Sequence, residues 1–331
     1  MKVAVTGAGG FLGRALIKKL LENGHEPLAI VKKESYAAEL NQAGINAYAR
    51  DLSTADDCQN FLRGYDAIVH CAALTRDFGR WEDFNKFNII TTQNILDQSQ
   101  KAEVGRFIHI STTAVYGNER NHYGTDEENN FGQQVVDPYT RSKIISDQIV
   151  TEFFNQTNIP GMILRFGNIW GPGDPNILPY IVEGLKKRRL VIEGGGDNVL
   201  SLTYIENAVD AIFLALTKES NQSQIYNITD GMKVSSRKFI EDIIGVLGIK
   251  YTLRNIPYPI LYSLAYFFEQ YYIFTRKQTK PPLTRFGARI LKYHAVFDIS
   301  RAMIELGYHP HISYKDAMAQ SSAYIKILYD G

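Results

Sequence analysis

Thr6-Gly7-Ala8-Gly9-Gly10-Phe11-Leu12-Gly13 decides the fold. Upstream lies the apolar run Val3-Ala4-Val5, as in a strand buried on both faces. Downstream, Leu12, Ala15, Leu16, Leu20 and Leu21 recur at helix spacing, and Gly24 stops the helix. Strand, glycine turn and helix in that order open a dinucleotide-binding unit. Gly7 allows the tight turn, Gly10 lets the backbone approach a pyrophosphate, and Gly13 permits close packing of helix on strand. Free N–H groups and the positive helix end then face the anion. Gly7, Gly10, Phe11 and Leu12 are therefore expected to bind a cofactor.

The alternation continues along the chain. Strands are expected over 28–31, 47–49, 66–70, 106–110 and 161–165, with helices over 55–62, 84–100 and 138–155. Strands alternating with helices imply right-handed crossovers and a parallel sheet. The expected fold is α/β: a Rossmann-type, doubly wound parallel sheet over 1–165, then a smaller, mostly helical substrate-binding region over 166–331. Strands are also expected over 199–204 and 224–228, with elements from about 199–228 returning to the sheet.

Composition narrows the function. The 331 residues carry 36 basic and 35 acidic side chains, and 45% are hydrophobic. That is a globular profile, with no cationic surplus for nucleic acid. Only two cysteines occur, Cys58 and Cys71, which excludes a disulfide framework and a Cys-rich zinc site. No metal is expected. No secretory leader is expected either, because Val3-Ala4-Val5 gives way at once to Gly7. No apolar run reaches 18 residues. The expectation is a cytoplasmic enzyme.

The ends of the strands report on the cofactor. NAD-type sites place Asp or Glu after the second strand to bind the ribose 2′-hydroxyl. Here the strand runs into Val31-Lys32-Lys33-Glu34. Cations suit a 2′-phosphate, so Lys32 favours NADP(H) over NAD(H). The alternatives are solvated lysines, or Glu34 reaching back to a hydroxyl. Asp51 and Leu52 either contact the adenine or precede a helix cap; both readings stay open. Ala72 and Ala73, after His70-Cys71, leave room for a flat cofactor. His70 itself reads as a satisfied core histidine.

Tyr139 and Lys143 share one helix face at i, i+4. Pro138 suits the first turn and fixes where that helix begins. An ammonium beside a phenol favours the phenolate, so the tyrosine pKa is expected to fall from its ordinary ~10. Such a tyrosine exchanges protons readily. The hydroxyl-rich loop 111–117 follows the fifth strand at its carboxyl end, where parallel sheets bind ligands.

TGAGGFLG at 6–13, HCAA at 70–73, ISTTAVYG at 110–117, YTRSK at 139–143 and RFGNIWGPGD at 165–174 resemble the extended short-chain dehydrogenase/reductase superfamily. The resemblance covers the whole chain. It implies that Tyr139 is the acid/base, and that Lys143 is its partner and binds the nicotinamide ribose. It also implies that Thr112 is the catalytic Ser/Thr and that Asn88 supports the region. Two departures weigh against sugar-nucleotide branches. Thr113 and Ala114 stand where dehydratases carry acids. No cation lies between Arg189 and Lys218, where an arginine would clamp phosphates, although Asn168 stands at a diphosphate position.

The second half instead resembles the 3β-hydroxysteroid dehydrogenase family, including its sterol-4α-carboxylate 3-dehydrogenase branch. The stretches are 171–190, 194–212, 226–231, 281–291 and 297–308. The resemblance implies reversible reduction of a ketone on a nonpolar 3-oxoacyl or steroid-like substrate; a nucleotide-sugar epimerase is the alternative. A homodimer is in keeping with the family. The aromatic stretch 256–274 either packs as a helix in the substrate region, or forms an apolar wall or a weak membrane-surface contact.

Overall fold

Val3, Ala4 and Val5 are fully buried, because helices cover both faces of the sheet they enter. Val3 and Val5 pack in one core cluster and Ala4 in the other, the period of two expected of a strand. Leu28 and Ile30 join the cluster of Ala4, whereas Ala29 and Val31 join the other. The computed structural model describes residues 1–58, 60–219, 222–277 and 279–331.

Seven strands form one parallel sheet. Their order is Gln224–Ile228, Gly161–Phe166, Arg106–Thr112, Ala67–His70, Lys2–Thr6, Glu26–Val31 and Ala47–Ala49. From Lys2–Thr6 the chain first builds outward to Ala47–Ala49, then returns to Ala67–His70 on the other side. That reversal opens a crevice at the carboxyl ends of the strands. The doubly wound α/β architecture is therefore as the sequence predicts.

Three elements differ from expectation. The predicted helix over 55–62 is only a 3-10 turn, Asp56–Cys58, and residue 59 lies outside the described residues. Asn60 takes a left-handed φ of 60°, which no helix continues through. The predicted helix over 84–100 is three pieces: Trp81–Phe84, the π-helical Asn85–Ile90 and Thr91–Lys101. The wide turn holds Asn88. The predicted strand over 199–204 splits at Ser201. Val199–Leu200 pairs antiparallel with Val234–Ser235, and Leu202–Tyr204 pairs parallel with Asn168–Trp170. Ser201 O accepts from Asn168 N at 2.6 Å, and a Cβ on Gly167 would lie 2.4 Å from Ser201 Oγ. Of the returning segment, Gln224–Ile228 joins the main sheet, beside Gly161–Phe166.

Three helices of the second half are capped by hydroxyl side chains. Ser235, Thr284 and Ser313 accept N–H bonds at the starts of Ser236–Leu247, Arg285–Lys292 and Tyr314–Asp330. The aromatic stretch is the helix Tyr258–Phe274, which buries only Leu261, Ala265 and Glu269. These stand at i, i+4 and i+8, one narrow stripe. Glu269, which breaks the apolar run in sequence, accepts from Arg285 N at 2.7 Å and Nε at 2.6 Å. It pins this helix to the next. Phe267 and Phe274 on the other face are 68% and 88% exposed. Among the described residues no helix is long and apolar enough to cross a membrane.

Gly13 tests the turn. Alanine ordinarily favours a helix interior by about 1 kcal/mol over glycine. Here its Cβ would lie 2.3 Å from Gly7 O, a backbone atom. The clash should win, and Gly13→Ala should destabilise the protein by about 1–3 kcal/mol in urea unfolding. A variant as stable as the parent would contradict the packing described.

Candidate active site

The cleft begins at the glycine turn. Gly10 caps the helix Phe11–Glu22 without a side chain, and the first turn carries no acid. The leading N–H groups and helix dipole are thus left for an anion. Gly7 has a φ of 67°, and a Cβ on it would meet Ala72 N at 2.8 Å. Ala72 N donates to Thr6 Oγ1 at 3.1 Å. The end of Ala67–His70 is thereby drawn against the turn. One cleft of about 1860 Å³ is lined by Gly7, Gly10, Phe11, Leu12, Lys32, Asp51, Leu52, Ala72, Ala73, Thr112, Tyr139 and Lys143. Its elongated donor-rich edge suits a dinucleotide. His70 is closed off, its ring nitrogens bonded to Thr6 and Thr92 hydroxyls. Burial lowers its pKa to about 3, so it is neutral.

The far end of that edge is cationic. Lys32 is exposed, with Nζ 3.9 Å from the centre of the Phe87 ring. Arg14 donates Nε to Gly9 O at 2.9 Å and lies 4.7 Å over Tyr36. Arg50, absent from the sequence expectations, lies 5.6 Å from the Tyr48 ring, and its Nε is buried without an acceptor. Asp51 folds its own turn: Oδ1 accepts from Ser53 N at 3.1 Å and Ser53 Oγ at 2.5 Å. The Ser53 hydroxyl chiefly holds its carboxyl below the ordinary value. Leu52 packs into the core beside it.

The helix Pro138–Gln156 carries Tyr139 and Lys143. Asp137 caps it, Oδ1 accepting from Thr140 N at 2.7 Å. Burial pushes that carboxyl up to about 7. The Thr112 hydroxyl accepts from Ala114 N at 3.2 Å and donates to the Tyr139 phenol. Lys143 is only 3% exposed. Its Nζ donates to Ile110 O at 2.7 Å and lies 3.2 Å from His109 Nε2. Asn88 ties the pieces together, bonding Leu74 N and O and Ser142 Oγ.

The expected depression of the tyrosine pKa is not what this arrangement produces. The Lys143 ammonium is turned to the strand Arg106–Thr112. Burial drives the Tyr139 phenol well above its ordinary value, Asp137 and Asp147 add to this, and only Thr112 opposes it. The phenol is protonated at neutral pH and suited to donating. Lys143 is the group moved toward neutrality, lowered by burial to about 8 with Asp147 acting against the shift.

Beneath them lies a buried polar cluster that sequence reading missed. Asp147 accepts from Ser111 Oγ at 2.5 Å and Arg165 Nε at 3.0 Å, with Oδ1 3.6 Å from His109 Nε2. Arg165 donates on to Tyr116 OH, which donates to Asn227. A signal for Asp147 was present: it repeats the i, i+4 step from Lys143. Removing one partner of a buried pair costs about 3–5 kcal/mol. Asp147→Asn should lose that much in urea unfolding, and Ser111→Ala only about 1 kcal/mol. Equal small losses would refute the cluster's role.

Comparison with known proteins identifies the family and the fold. The model of the NAD dependent epimerase/dehydratase family matches residues 3–229. The 2-alkyl-3-oxoalkanoate reductase of Stenotrophomonas maltophilia is 29% identical over 98% of this chain and 99% of its own. A decarboxylating sterol-4-alpha-carboxylate 3-dehydrogenase of Dictyostelium discoideum is 29% identical over 96% of this chain and 98% of its own. The solved UDP-glucose 4-epimerase of Thermotoga maritima shares the fold, with a TM-score of 0.79 and 21% identity over 99% of both chains. The chain belongs to the NAD dependent epimerase/dehydratase family, as a nicotinamide-dependent oxidoreductase of the extended short-chain dehydrogenase/reductase type.

Proposed function

We propose that the protein reduces a ketone on a nonpolar 3-oxoacyl or steroid-like substrate, using NADPH in preference to NADH. The observation that carries this reading is the placement of the Tyr139 phenol against Thr112, in a cleft whose other end is apolar. Leu264, Phe268, Tyr272, Pro282, Leu283 and Phe286 line that end. A flat hydrocarbon matches it better than a sugar does. The names of the two relatives, a reductase and a sterol dehydrogenase, point the same way.

The nicotinamide supplies the hydride that adds to the carbonyl carbon. Tyr139 gives its proton to the carbonyl oxygen, so ketone, hydride and proton make one alcohol. Thr112 holds that oxygen at the phenol. Lys143 fixes the ribose side of the site and carries the charge that returns a proton to Tyr139. With its pKa near 8, Lys143 is mostly protonated at pH 7, and that fraction is lost as pH rises through 8. Tyr139→Phe should lower kcat by about a hundredfold or more while leaving the cofactor Kd nearly unchanged. Retained turnover would remove the assignment.

The cofactor preference rests on the cationic edge. Arg50 has a buried donor without an acceptor, and Lys32 and Arg14 line the same cleft. A 2′-phosphate would satisfy these groups where a hydroxyl would not. Arg50→Ala and Lys32→Ala should each weaken NADPH by roughly tenfold and NADH little, as read by fluorescence titration. Equal losses for both cofactors would contradict the preference.

A further inference from the structure

Two buried histidines lie side by side in the sheet, and they are held differently. His70 and His109 face each other across adjacent strands, with ring centres 5.6 Å apart. Both are buried. His70 bonds the Thr6 and Thr92 hydroxyls through its two nitrogens, so it is satisfied within the core. His109 has no such pair of partners. Its Nδ1 is buried without a hydrogen bond. Among the described residues its one hydrogen-bond partner is Lys143, whose Nζ lies 3.2 Å from Nε2.

That contact fixes the tautomer of the ring. An ammonium has three N–H donors and no acceptor. Ile110 O takes one of them and the Nε2 lone pair takes another. The third is left for the cleft that Lys143 lines. The His109 proton then sits on Nδ1, where nothing accepts it. The opposite tautomer would turn Nε2–H against the ammonium, with Asp147 Oδ1 3.6 Å away, beyond hydrogen-bond length. Burial, with the Lys143 charge adding to it, keeps the ring neutral. We propose that His109 is a positioning residue of the reaction: its Nε2 lone pair receives the Lys143 ammonium and holds it, charged, at the carboxyl end of the strand Arg106–Thr112. This rests on the ketone-reductase reading above, in which Lys143 returns a proton to Tyr139.

The groups around Lys143 come from every element packed against it. Asp147 stands one turn further along its own helix and favours the charged lysine, against burial. Arg165, on Gly161–Phe166, is engaged by Asp147. Cys71, past the end of Ala67–His70, is an uncharged thiol whose pKa burial pushes up to about 12. His70 and the Tyr139 phenol are neutral. Replacing His109 therefore leaves every charge in the site in place and takes away only an acceptor of the ammonium.

The test reads the ring and the lysine separately. Long-range proton–nitrogen NMR of the whole protein labelled at histidine should show His109 as the Nδ1–H tautomer from about pH 6 to 8. A ring protonated on Nε2, or on both nitrogens, would overturn the proposal whether or not any variant folds. In kinetics, His109→Phe keeps a ring without the acceptor, and His109→Gln returns an acceptor near the place of Nε2. Lys143 works in its protonated form, so activity falls as pH rises through its pKa. Losing an acceptor lowers that pKa. The alkaline limb of kcat in His109→Phe should move down by about one pH unit, while His109→Gln stays close to the parent. A kcat lowered equally at every pH in His109→Phe, with the limb unmoved, would show a merely structural role and overturn the proposal. A wild type that shows the Nδ1–H tautomer but reduces no ketone would support the lysine contact and remove the reductase reading instead.

Discussion

The Asp147 carboxylate is the constraint on which the candidate site depends. Two cations, Arg165 and Lys143, are buried, each only 3% exposed. Neither is tolerable there without a counter-charge. Asp147 meets Arg165 directly and faces Lys143 through His109. Burial strips His109 of its charge, so it serves as a neutral bridge. The same carboxylate fixes Ser111, next to Thr112. Through Tyr116 and Asn227 the cluster reaches the edge strand Gln224–Ile228, and Asn227 Nδ2 bonds Thr125 O and Asp298 O. The reactive helix, the hydroxyl loop and the second half of the chain are thus tied to one buried anion.

Above that cluster the cleft is graded in character. Backbone donors and cations line the end at the glycine turn. Hydroxyls and one ammonium occupy the middle. Apolar side chains line the remaining end. Each zone is supplied by a different part of the chain. The helix Tyr258–Phe274 illustrates this. Its buried stripe is held by the Glu269–Arg285 pair, and its Leu264, Phe268 and Tyr272 line the cleft.

Much of this was legible in the chain. The glycine turn, the order of strands and the Tyr139–Lys143 step are local patterns, and local patterns set the sheet and one helix face. What was not legible depends on where side chains turn after folding. Lys143 was expected to act on the phenol, yet Ile110 O, on a strand 33 residues earlier, captures its ammonium. The reading over 55–62 had apolar spacing but no allowance for Asn60 in a left-handed conformation.

Net carbonyl reduction is the central claim, and hydride bookkeeping tests it most directly. The measurement is mass spectrometry of the product formed from a 3-oxo acid with NADPH deuterated at C4 of the nicotinamide. The account predicts one deuterium on the new carbinol carbon and one NADP⁺ released per alcohol formed. A product without label, or a bound cofactor that returns unchanged after turnover of a sugar nucleotide, would contradict it.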